Sequence, residues 1–574
     1  MPHSAADPSR RDLLASVASL ALLPLAGRPP GLASGDDDEE PNAWPEGGDR
    51  EAITVATIAA AERLAGIAFT EAERETIAAT IGEQIALLEA RAAAGDLPND
   101  LAPAMVFHAL PPGRELDRAT PDGDPASLVE RDAPPPGDDD DIAFAPVTRL
   151  ATWLRRGELT SERLTRIHLD RIALFGPSLE CMITVTADRA LDQARAADAA
   201  FRAGRDLGPL HGITYGAKDI IDVAGLPATW GAEPFKDRVA TTTATVIEKL
   251  DAAGAVMLGK TAVGALAYGD IWFAGRCRNP WNPAQGSSGS SAGSASGVAA
   301  GLMAFALGTE TYGSIISPCL RCGATGLRPT FGRVSRHGAM SLCWSLDKIG
   351  PICRRVSDTA MVLAAIDGLD PRDASSVAAP LNCSPDRDVA GLRIGWNPAW
   401  YERASASDRA ALDHLRAAGC TLVEVDLPEL PYDAMLITLY AEAAAAFESL
   451  TRSGDDDRLV WQSPQAWPNT FRRSWFIPAI EAVQADRVRR QAMDAMATIM
   501  ADVDALAAPP FAANLLLITN ATGHPTLVQP TSVARNRPQG FTLIGRLFDE
   551  GTLVRLGRLL ESAFGVSERR PPLV

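Results

Sequence analysis

The sequence predicts an α/β fold with helices on both faces of a sheet. From Ile142 onward, helical patterns alternate with short strand patterns, as in TATVIEKLDAAG before AVMLGK and DRAALDHLRAAG before CTLVEVDLP. This alternation is typical of a largely parallel sheet covered by helices. The chain has 574 residues and 46% hydrophobic content, which is enough to bury one large core.

Residues 1–35 are typical of a twin-arginine export signal. The adjacent Arg10 and Arg11 precede a mostly apolar run, Leu13–Ala26, that is too short to span a bilayer comfortably. Ala33-Ser34-Gly35 is a candidate cleavage site. We therefore expect an exported, periplasmic protein with no stable membrane insertion after signal removal. The alternatives are a frayed amphipathic helix here and a cytoplasmic protein.

Residues 36–141 are expected to form acidic linkers and a helical appendage ahead of the main domain, 142–570. The charge runs Asp36–Glu40 and Asp138–Asp141 are typical of solvated linkers. Between them, Glu51–Ala94 carries the pattern of two helices.

A capping box marks the start of the second of these helices, because Thr70 is followed three residues later by Glu73. Pro111–Asp141 contains PPPGDDDD and is predicted to be an exposed linker.

Charge and cysteine content exclude several classes of function. The formal net charge is -18 and no basic patch stands out, so we expect no nucleic-acid partner. Cys319 and Cys322 have CxxC spacing, but no second pair or matching histidines complete a zinc site. Buried thiols are the preferred interpretation, and no metal is expected.

The Gly/Ser-rich stretch Gly286–Pro318 contains the candidate nucleophiles. Its apolar continuation from Ala295 predicts a buried helix rather than a flexible linker. One hypothesis is a nucleophile elbow, since Gly289–Gly293 matches G-x-S-x-G around Ser291. The two prolines of RNPWNPAQGSSGS argue against the strand that an elbow needs. Few histidines follow that could act as the base: His337, His414 and His524.

The second hypothesis needs no histidine, because a neutral lysine can activate a hydroxyl. Lys218 lies in the apolar, small-residue segment GAKDII. Burial would lower its pKa and favour the neutral amine. The structural alternative is an ion pair of Lys218 with Asp219 or Asp222.

Several motifs in order along residues 145–565 resemble those of the amidase signature family. They are GAKDIIDVAGLPAT, AAGAVMLGKT, RNPWNP, the Gly/Ser-rich stretch, GLRPTFGRVSRHGAM, SLDKIGPICRRVSDTA, TNATGHPTLVQP and FTLIGRLFDEGTL. The resemblance implies an α/β/α sandwich with a large mixed β-sheet flanked by helices. It also implies a serine amidohydrolase that hydrolyses a carboxylic amide without a cofactor.

The same resemblance assigns a Ser–cis-Ser–Lys triad. By position, Lys218 would be the base, Ser290 the bridging acid and base, and Ser314 the nucleophile that forms the acyl-enzyme. The oxyanion and substrate-binding residues would be Thr311, Tyr312, Gly313 and Ser291.

The sequence departs from the family pattern at two places near Ser314. Tyr312 replaces a glycine, so a side chain would narrow the pocket or add a hydroxyl contact. Glu310 stands where aspartate is usual, and Ile316 stands where arginine is common. An internal ion pair is therefore expected to be missing.

The function that the sequence predicts is amide hydrolysis on a small-molecule substrate, with a homodimer left open. One alternative is an amidotransferase A-type subunit that generates ammonia from glutamine. Another is a non-catalytic binding protein on the same scaffold. Trp461, Trp467, Trp475 and Phe476 are candidates for lining a hydrophobic cleft, although core packing is the more common use of such residues.

Overall fold

The computed structural model describes residues 53–93, 95–113, 123–381, 383–384 and 387–573. The predicted export signal at 1–35 and the charge run at 36–40 lie outside the described residues. The two predicted N-terminal helices are present as α1 (Val55–Ala65) and α2 (Glu71–Ala93). The capping box is present as well, since the Thr70 N–H donates to Glu73 at 2.7 Å.

Helices of the main body cover both faces of the sheet. In chain order they are α3 (Asp139–Ala143), α4 (Val147–Arg155), α5 (Ser161–Leu179), α6 (Ala187–Arg202), α7 (Thr245–Ala252), α8 (Ala292–Ala299), α9 (Ile316–Cys322), α10 (Val356–Ile366), α11 (Ala406–Ala417), α12 (Leu436–Ala446), α13 (Glu448–Ser453), α14 (Trp467–Ser474), α15 (Ala479–Asp502), α16 (Leu515–Ala521) and α17 (Glu550–Phe564).

The strands of the described residues form one large sheet and two small hairpins. They are β1 (Met182–Val185), β2 (Thr214–Lys218), β3 (Val256–Thr261), β4 (Ile271–Trp272), β5 (Gly275–Arg276), β6 (Arg278–Asn279), β7 (Asn282–Gly286), β8 (Phe305–Glu310), β9 (Thr325–Arg328), β10 (Lys348–Cys353), β11 (Arg393–Trp396), β12 (Thr421–Glu424), β13 (Ala505–Ala508), β14 (Thr526–Ala534) and β15 (Arg537–Gly545). Within the described chain the large sheet has eleven strands in the order β1-β3-β2-β8-β10-β9-β14-β15-β13-β11-β12.

The sheet is mixed, as the family resemblance implied, and not largely parallel as the helix–strand alternation indicated. β2 pairs in parallel with β3 and β8, and β11 with β12 and β13. From β8 through β10, β9, β14 and β15 to β13, every neighbour is antiparallel. Arg535 and Asn536, with φ of 52° and 56°, form the tight turn between β14 and β15. Strands joined by so short a turn must be antiparallel.

The Gly/Ser-rich stretch folds as a tight loop followed by a buried helix, as the apolar run predicted. All eight residues of α8 are buried. The helix lies against β8 and β10. The carboxyl ends of β2 and β8 meet beside the loop, which places Lys218, Glu310 and residues 287–291 in one region.

The segment 123–141 is not an exposed linker along its whole length. Leu128 and Ala133 are 8% and 4% exposed and belong to the main core. The Trp153 Nε1–H donates to the main-chain oxygen of Pro134 at 2.6 Å. The prediction failed because the many prolines and aspartates of this segment are typical of an exposed linker, and two isolated apolar residues among them give little indication of burial. Among the described helices, none is long and apolar enough to cross a membrane.

Candidate active site

Lys218 ends strand β2 in a fully buried position. Its Nζ lies 2.8 Å from Ser290 Oγ, 3.1 Å from Ser291 Oγ and 2.7 Å from Thr309 Oγ1. Within the described residues, no carboxylate lies within ion-pair distance of this amine. The contacts of the Lys218 amine are therefore three hydroxyl groups and, at 3.4 Å, the main-chain oxygen of Thr309.

The structural alternative for Lys218 is wrong, because both nearby aspartates have other partners. Asp219 Oδ1 lies 2.9 Å from Lys260 Nζ, and both side chains are fully buried. Asp222 pairs with Arg238 at 2.6 Å. Lys218 is left without a compensating charge in direct contact.

Burial determines the protonation of this amine. Desolvation disfavours the ammonium form and lowers the pKa of Lys218 to about 7, while the more distant Asp347 and Glu310 oppose the shift. A large share of the molecules therefore carries a neutral amine near neutral pH. Such an amine can accept a proton from a hydroxyl.

Ser290 follows a cis peptide bond, Gly289–Ser290, and is 1% exposed. Its position depends on a glycine before it. A Cβ at Gly289 would lie 1.8 Å from the main-chain oxygen of Gly269. Any larger residue would push this loop away from its neighbour and displace Ser290 from Lys218.

Ser314 lies on the loop between β8 and α9, directly beside the loop that carries Ser290. The Ser291 N–H donates to the main-chain oxygen of Ser314 at 3.1 Å. Gly313 has φ of 88°, a left-handed conformation that favours glycine. Ser314 is 9% exposed. The structure thus brings the three residues assigned to the triad into one region.

The loop before α9 supplies unpaired main-chain donors. Among the described residues, the N–H groups of Tyr312, Gly313 and Ser314 make no hydrogen bond. By contrast, the next two N–H groups, of Ile315 and Ile316, donate to Glu310 Oε2 at 2.8 and 2.9 Å. The first three are the groups available to an oxyanion.

The ion pair that the sequence was expected to lack is present with a different partner. Glu310 Oε1 lies 2.7 Å from Arg328 Nη1, and both side chains are fully buried. The Asn520 Nδ2 donates to the same oxygen at 2.9 Å. Arg328 lies on β9, which β10 separates from β8 in the sheet, and it supplies the cation of this pair. Sequence spacing alone did not identify Arg328, 18 residues further along the chain, as the partner.

Ser291 and Thr311, both assigned to the oxyanion or substrate side, make inward contacts instead. Ser291 is fully buried, and its Oγ donates to the main-chain oxygen of Thr309 at 3.0 Å. The Thr311 hydroxyl donates to Asp347 Oδ1 at 2.6 Å. Through these hydrogen bonds both side chains support the loops around the site.

The nucleophile-elbow hypothesis for Ser291 does not fit this geometry. A short strand, β7, does precede the loop, contrary to the expectation from its prolines, but it belongs to a small hairpin with β6. No histidine in the described chain forms a hydrogen bond with Ser291. A buried serine without a histidine lacks the base that an elbow requires.

Two site residues, Thr309 and Asp347, were not predicted from the sequence. Thr309 contacts the lysine amine, and the partly buried Asp347 accepts the hydroxyl of Thr311. Burial raises the pKa of Asp347 above its ordinary value. The motif SLDKIGP, which contains Asp347, was the available signal, since it was among the segments that resemble the amidase signature family.

The aromatic candidates divide between core and surface. Trp467 is 8% exposed and stacks on Phe471 at 5.0 Å, so it belongs to the core. Trp461 stacks on Tyr268 at 5.0 Å. Trp475 and Phe476 are exposed. Tyr312 is 42% exposed and projects from the loop at the mouth of the site.

No cluster of metal-binding side chains is found among the described residues. Cys319 and Cys322 are free and buried, in agreement with the interpretation as ordinary thiols. Burial raises the pKa of both thiols well above the ordinary value.

Several known proteins are similar to this chain in sequence or in fold. The family model described as Amidase matches residues 163–536. The A-type chain of the glutamyl-tRNA(Gln) amidotransferase of Chloroflexus aggregans is 35% identical over an alignment of 486 positions, which covers 75% of this chain and 99% of that protein. The native peptide amidase of Stenotrophomonas maltophilia is 29% identical with a TM-score of 0.65, covering 75% of this chain and 98% of that one. An amidase family protein from Bacillus anthracis is 26% identical with a TM-score of 0.67, covering 76% and 94%.

Proposed function

The chain belongs to the amidase family and is an amide C–N hydrolase-type enzyme, and we propose that it acts through an acyl-enzyme on Ser314. The observation that carries this proposal is the contact of buried Lys218 with Ser290 at 2.8 Å, without a carboxylate to hold a proton on the amine. The roles are Lys218 as base, Ser290 as bridging acid and base, and Ser314 as nucleophile.

In the first half-reaction, neutral Lys218 accepts the proton of the Ser290 hydroxyl. Ser290 in turn accepts the proton of Ser314 as Ser314 Oγ forms a bond to the substrate carbonyl carbon. The carbonyl oxygen becomes an oxyanion, which the free N–H groups of residues 312–314 stabilise. The carbon–nitrogen bond then breaks, and the proton returns through Ser290 to the leaving nitrogen.

In the second half-reaction, water attacks the carbonyl carbon of the acyl group on Ser314. Ser290 accepts a proton from this water and passes its own to Lys218, and the same relay returns a proton to Ser314 Oγ as the carbon–Oγ bond breaks and the carboxylic acid leaves. Thr309 and Ser291 support both steps, because their hydroxyls fix the position of the lysine amine.

The substrate class has two candidates. The names of the sequence relatives match the amidotransferase A-type alternative better than a stand-alone amidase. Glutamine is therefore the first substrate to test, with glutamate and ammonia as products and a second protein chain to receive the ammonia. The peptide amidase among the structural relatives supports a stand-alone hydrolase of small primary amides. The alignment with the first relative covers 75% of this chain, so this protein has additional sequence that the relative lacks.

An ammonia-release assay on the purified chain tests the proposed function. Wild type and Ser314→Ala are each assayed on glutamine and on a series of small primary amides. Each assay is run with and without an added bacterial amidotransferase B-type subunit. Ammonia release from any of them that is lost in Ser314→Ala supports the proposal. Release from glutamine only with the added B-type protein supports the A-type role. Equal release by Ser314→Ala would contradict the proposal, and no release by either protein would favour a non-catalytic binding protein.

Export is a separate proposal that rests on the sequence of residues 1–35 alone. The names of the relatives give it no support, so a cytoplasmic location remains the alternative. Fractionation of cells that express wild type or Arg10→Lys/Arg11→Lys tests it. Processed wild type in the periplasm, with the variant retained in the cytoplasm, supports export. The same cytoplasmic location for both would contradict it.

A further inference from the structure

A segment that precedes the family-matched region, 163–536, contacts a loop beside the active site. We call residues 95–110 the N-terminal strap. The Asn99 Nδ2 donates to the main-chain oxygen of Ser341 at 2.9 Å, and the Ser341 N–H donates to Asn99 Oδ1 at 2.8 Å. The Asn99 amide also donates to the main-chain oxygen of Ala446 at 3.2 Å. One side chain thereby uses both ends of its amide on the main body.

Ser341 begins the 341–347 loop, which connects the strap to residues 311–314, which we call the oxyanion loop. The N–H groups of Leu342 and Cys343 donate to Asp347 Oδ2 at 2.8 and 3.0 Å. The other oxygen of Asp347 accepts the hydroxyl of Thr311 at 2.6 Å. Thr311 directly precedes Tyr312, the first of the free N–H donors. Hydrogen bonds therefore run from Asn99 to the loop that carries Ser314.

A second anchor of the strap acts on the same loop. The ring of Phe107 packs against Phe331 and lies under the guanidinium of Arg489. The distance from Arg489 Cζ to the centre of the Phe107 ring is 3.4 Å. Arg489 donates to the main-chain oxygen of Ser345 at 2.6 Å and to its hydroxyl at 2.9 Å. Burial of Arg489 under this ring fixes its direction toward the loop.

We propose that Asn99 is a positioning residue for the amide hydrolysis, and that the strap holds the oxyanion loop in its active geometry through the 341–347 loop and Asp347. The inference rests on the proposed function. Its physical basis is that oxyanion stabilisation depends on donors fixed before the reaction. A loosened 341–347 loop frees Asp347 and Thr311, and the N–H groups after Thr311 lose their fixed direction.

The first test is Asn99→Ala, with Asn397→Ala as a matched control. Asn397 also uses both ends of its amide on the main chain, accepting from Ala399 and donating to Val425, but at the far end of the sheet. We expect kcat of Asn99→Ala to fall roughly tenfold with KM changed less than about twofold, because only transition-state stabilisation is lost. The rate of fluorophosphonate labelling at Ser314 should fall with it. The control should keep the wild-type kcat at a temperature where both variants are folded.

A double-mutant cycle with Thr311→Val tests the route of the effect. If Asn99 acts through Thr311, the double variant loses less kcat than the product of the two single losses. Independent, multiplicative losses would overturn the proposal. If the alanine variant does not fold, Asn99→Asp takes its place. This variant keeps the acceptor for the Ser341 N–H but loses the donors to Ser341 and Ala446. Its kcat is expected to lie between that of wild type and the roughly tenfold lower value expected for Asn99→Ala.

The outcomes distinguish failure of this inference from failure of the proposed function. Active wild type with unchanged kcat and labelling in Asn99→Ala would overturn the role of the strap alone. Wild type that neither releases ammonia nor labels at Ser314 would overturn the proposed function and the inference with it.

Discussion

Glu310 and Arg328 form a fully buried ion pair, with Oε1 2.7 Å from Nη1. The second oxygen of Glu310 accepts the N–H groups of Ile315 and Ile316, at the start of α9. Arg328 also donates to the main-chain oxygen of His524 at 2.8 Å. The pair therefore fixes the loop that carries Ser314 to the sheet and to the segment after α16.

Loss of one member of this pair is expected to be costly. Arg328→Met should lower the free energy of unfolding by about 3–5 kcal/mol, because the carboxylate of Glu310 is left buried without its cation. Urea unfolding followed by circular dichroism measures the change. Arg416→Met is the control, since its pair with Asp413 is exposed and contributes less than about 1 kcal/mol. A loss no larger than that of the control would show that the pair does not hold the loop.

The pH dependence of hydrolysis should report Lys218. Because the neutral amine is the base and its pKa is about 7, kcat/KM should rise with pH through this value and level off above it. Lys218→Arg should be inactive throughout, since a guanidinium stays protonated. Lys236→Arg, on the surface, is the control. A profile that falls with rising pH near 7 would contradict the role of Lys218 as a base.

Thr309→Val should move this profile to lower pH. The Thr309 hydroxyl lies 2.7 Å from Nζ and accepts a hydrogen bond from the charged amine. Its removal disfavours the ammonium form and lowers the pKa of Lys218 further. Thr309→Ser, which keeps the hydroxyl, should retain the wild-type profile. A shift of Thr309→Val toward higher pH would argue against this electrostatic explanation.

Tyr312 should limit the size of the substrate. Tyr312→Ala removes a ring at the mouth of the site, so kcat/KM for bulky amides should rise roughly tenfold relative to small ones. Tyr312→Phe keeps the ring and should retain wild-type selectivity. Parallel assays with acetamide and an anilide measure the ratio. An unchanged ratio in Tyr312→Ala would mean that the ring does not contact substrate.

The sequence was sufficient for the elements and motifs that depend on local pattern. The capping box at Thr70 and the buried helix α8 follow from spacing and hydrophobicity, which are local properties. Positions of Lys218 and Ser290 follow from the family resemblance. What failed depends on long-range partners, since Arg328 forms an ion pair that was expected to be missing and Asn99 joins a loop more than 200 residues away. Local sequence does not encode which distant strand or loop becomes a neighbour.

The most direct test of the proposed mechanism is to identify the serine that reacts. Wild type is treated with a fluorophosphonate, digested, and mapped by mass spectrometry, beside Ser314→Ala, Ser290→Ala and Ser317→Ala. We expect modification at Ser314 that is absent in Ser314→Ala, strongly slowed in Ser290→Ala and unchanged in Ser317→Ala. Modification at Ser291, or labelling that persists in Ser314→Ala, would contradict the mechanism.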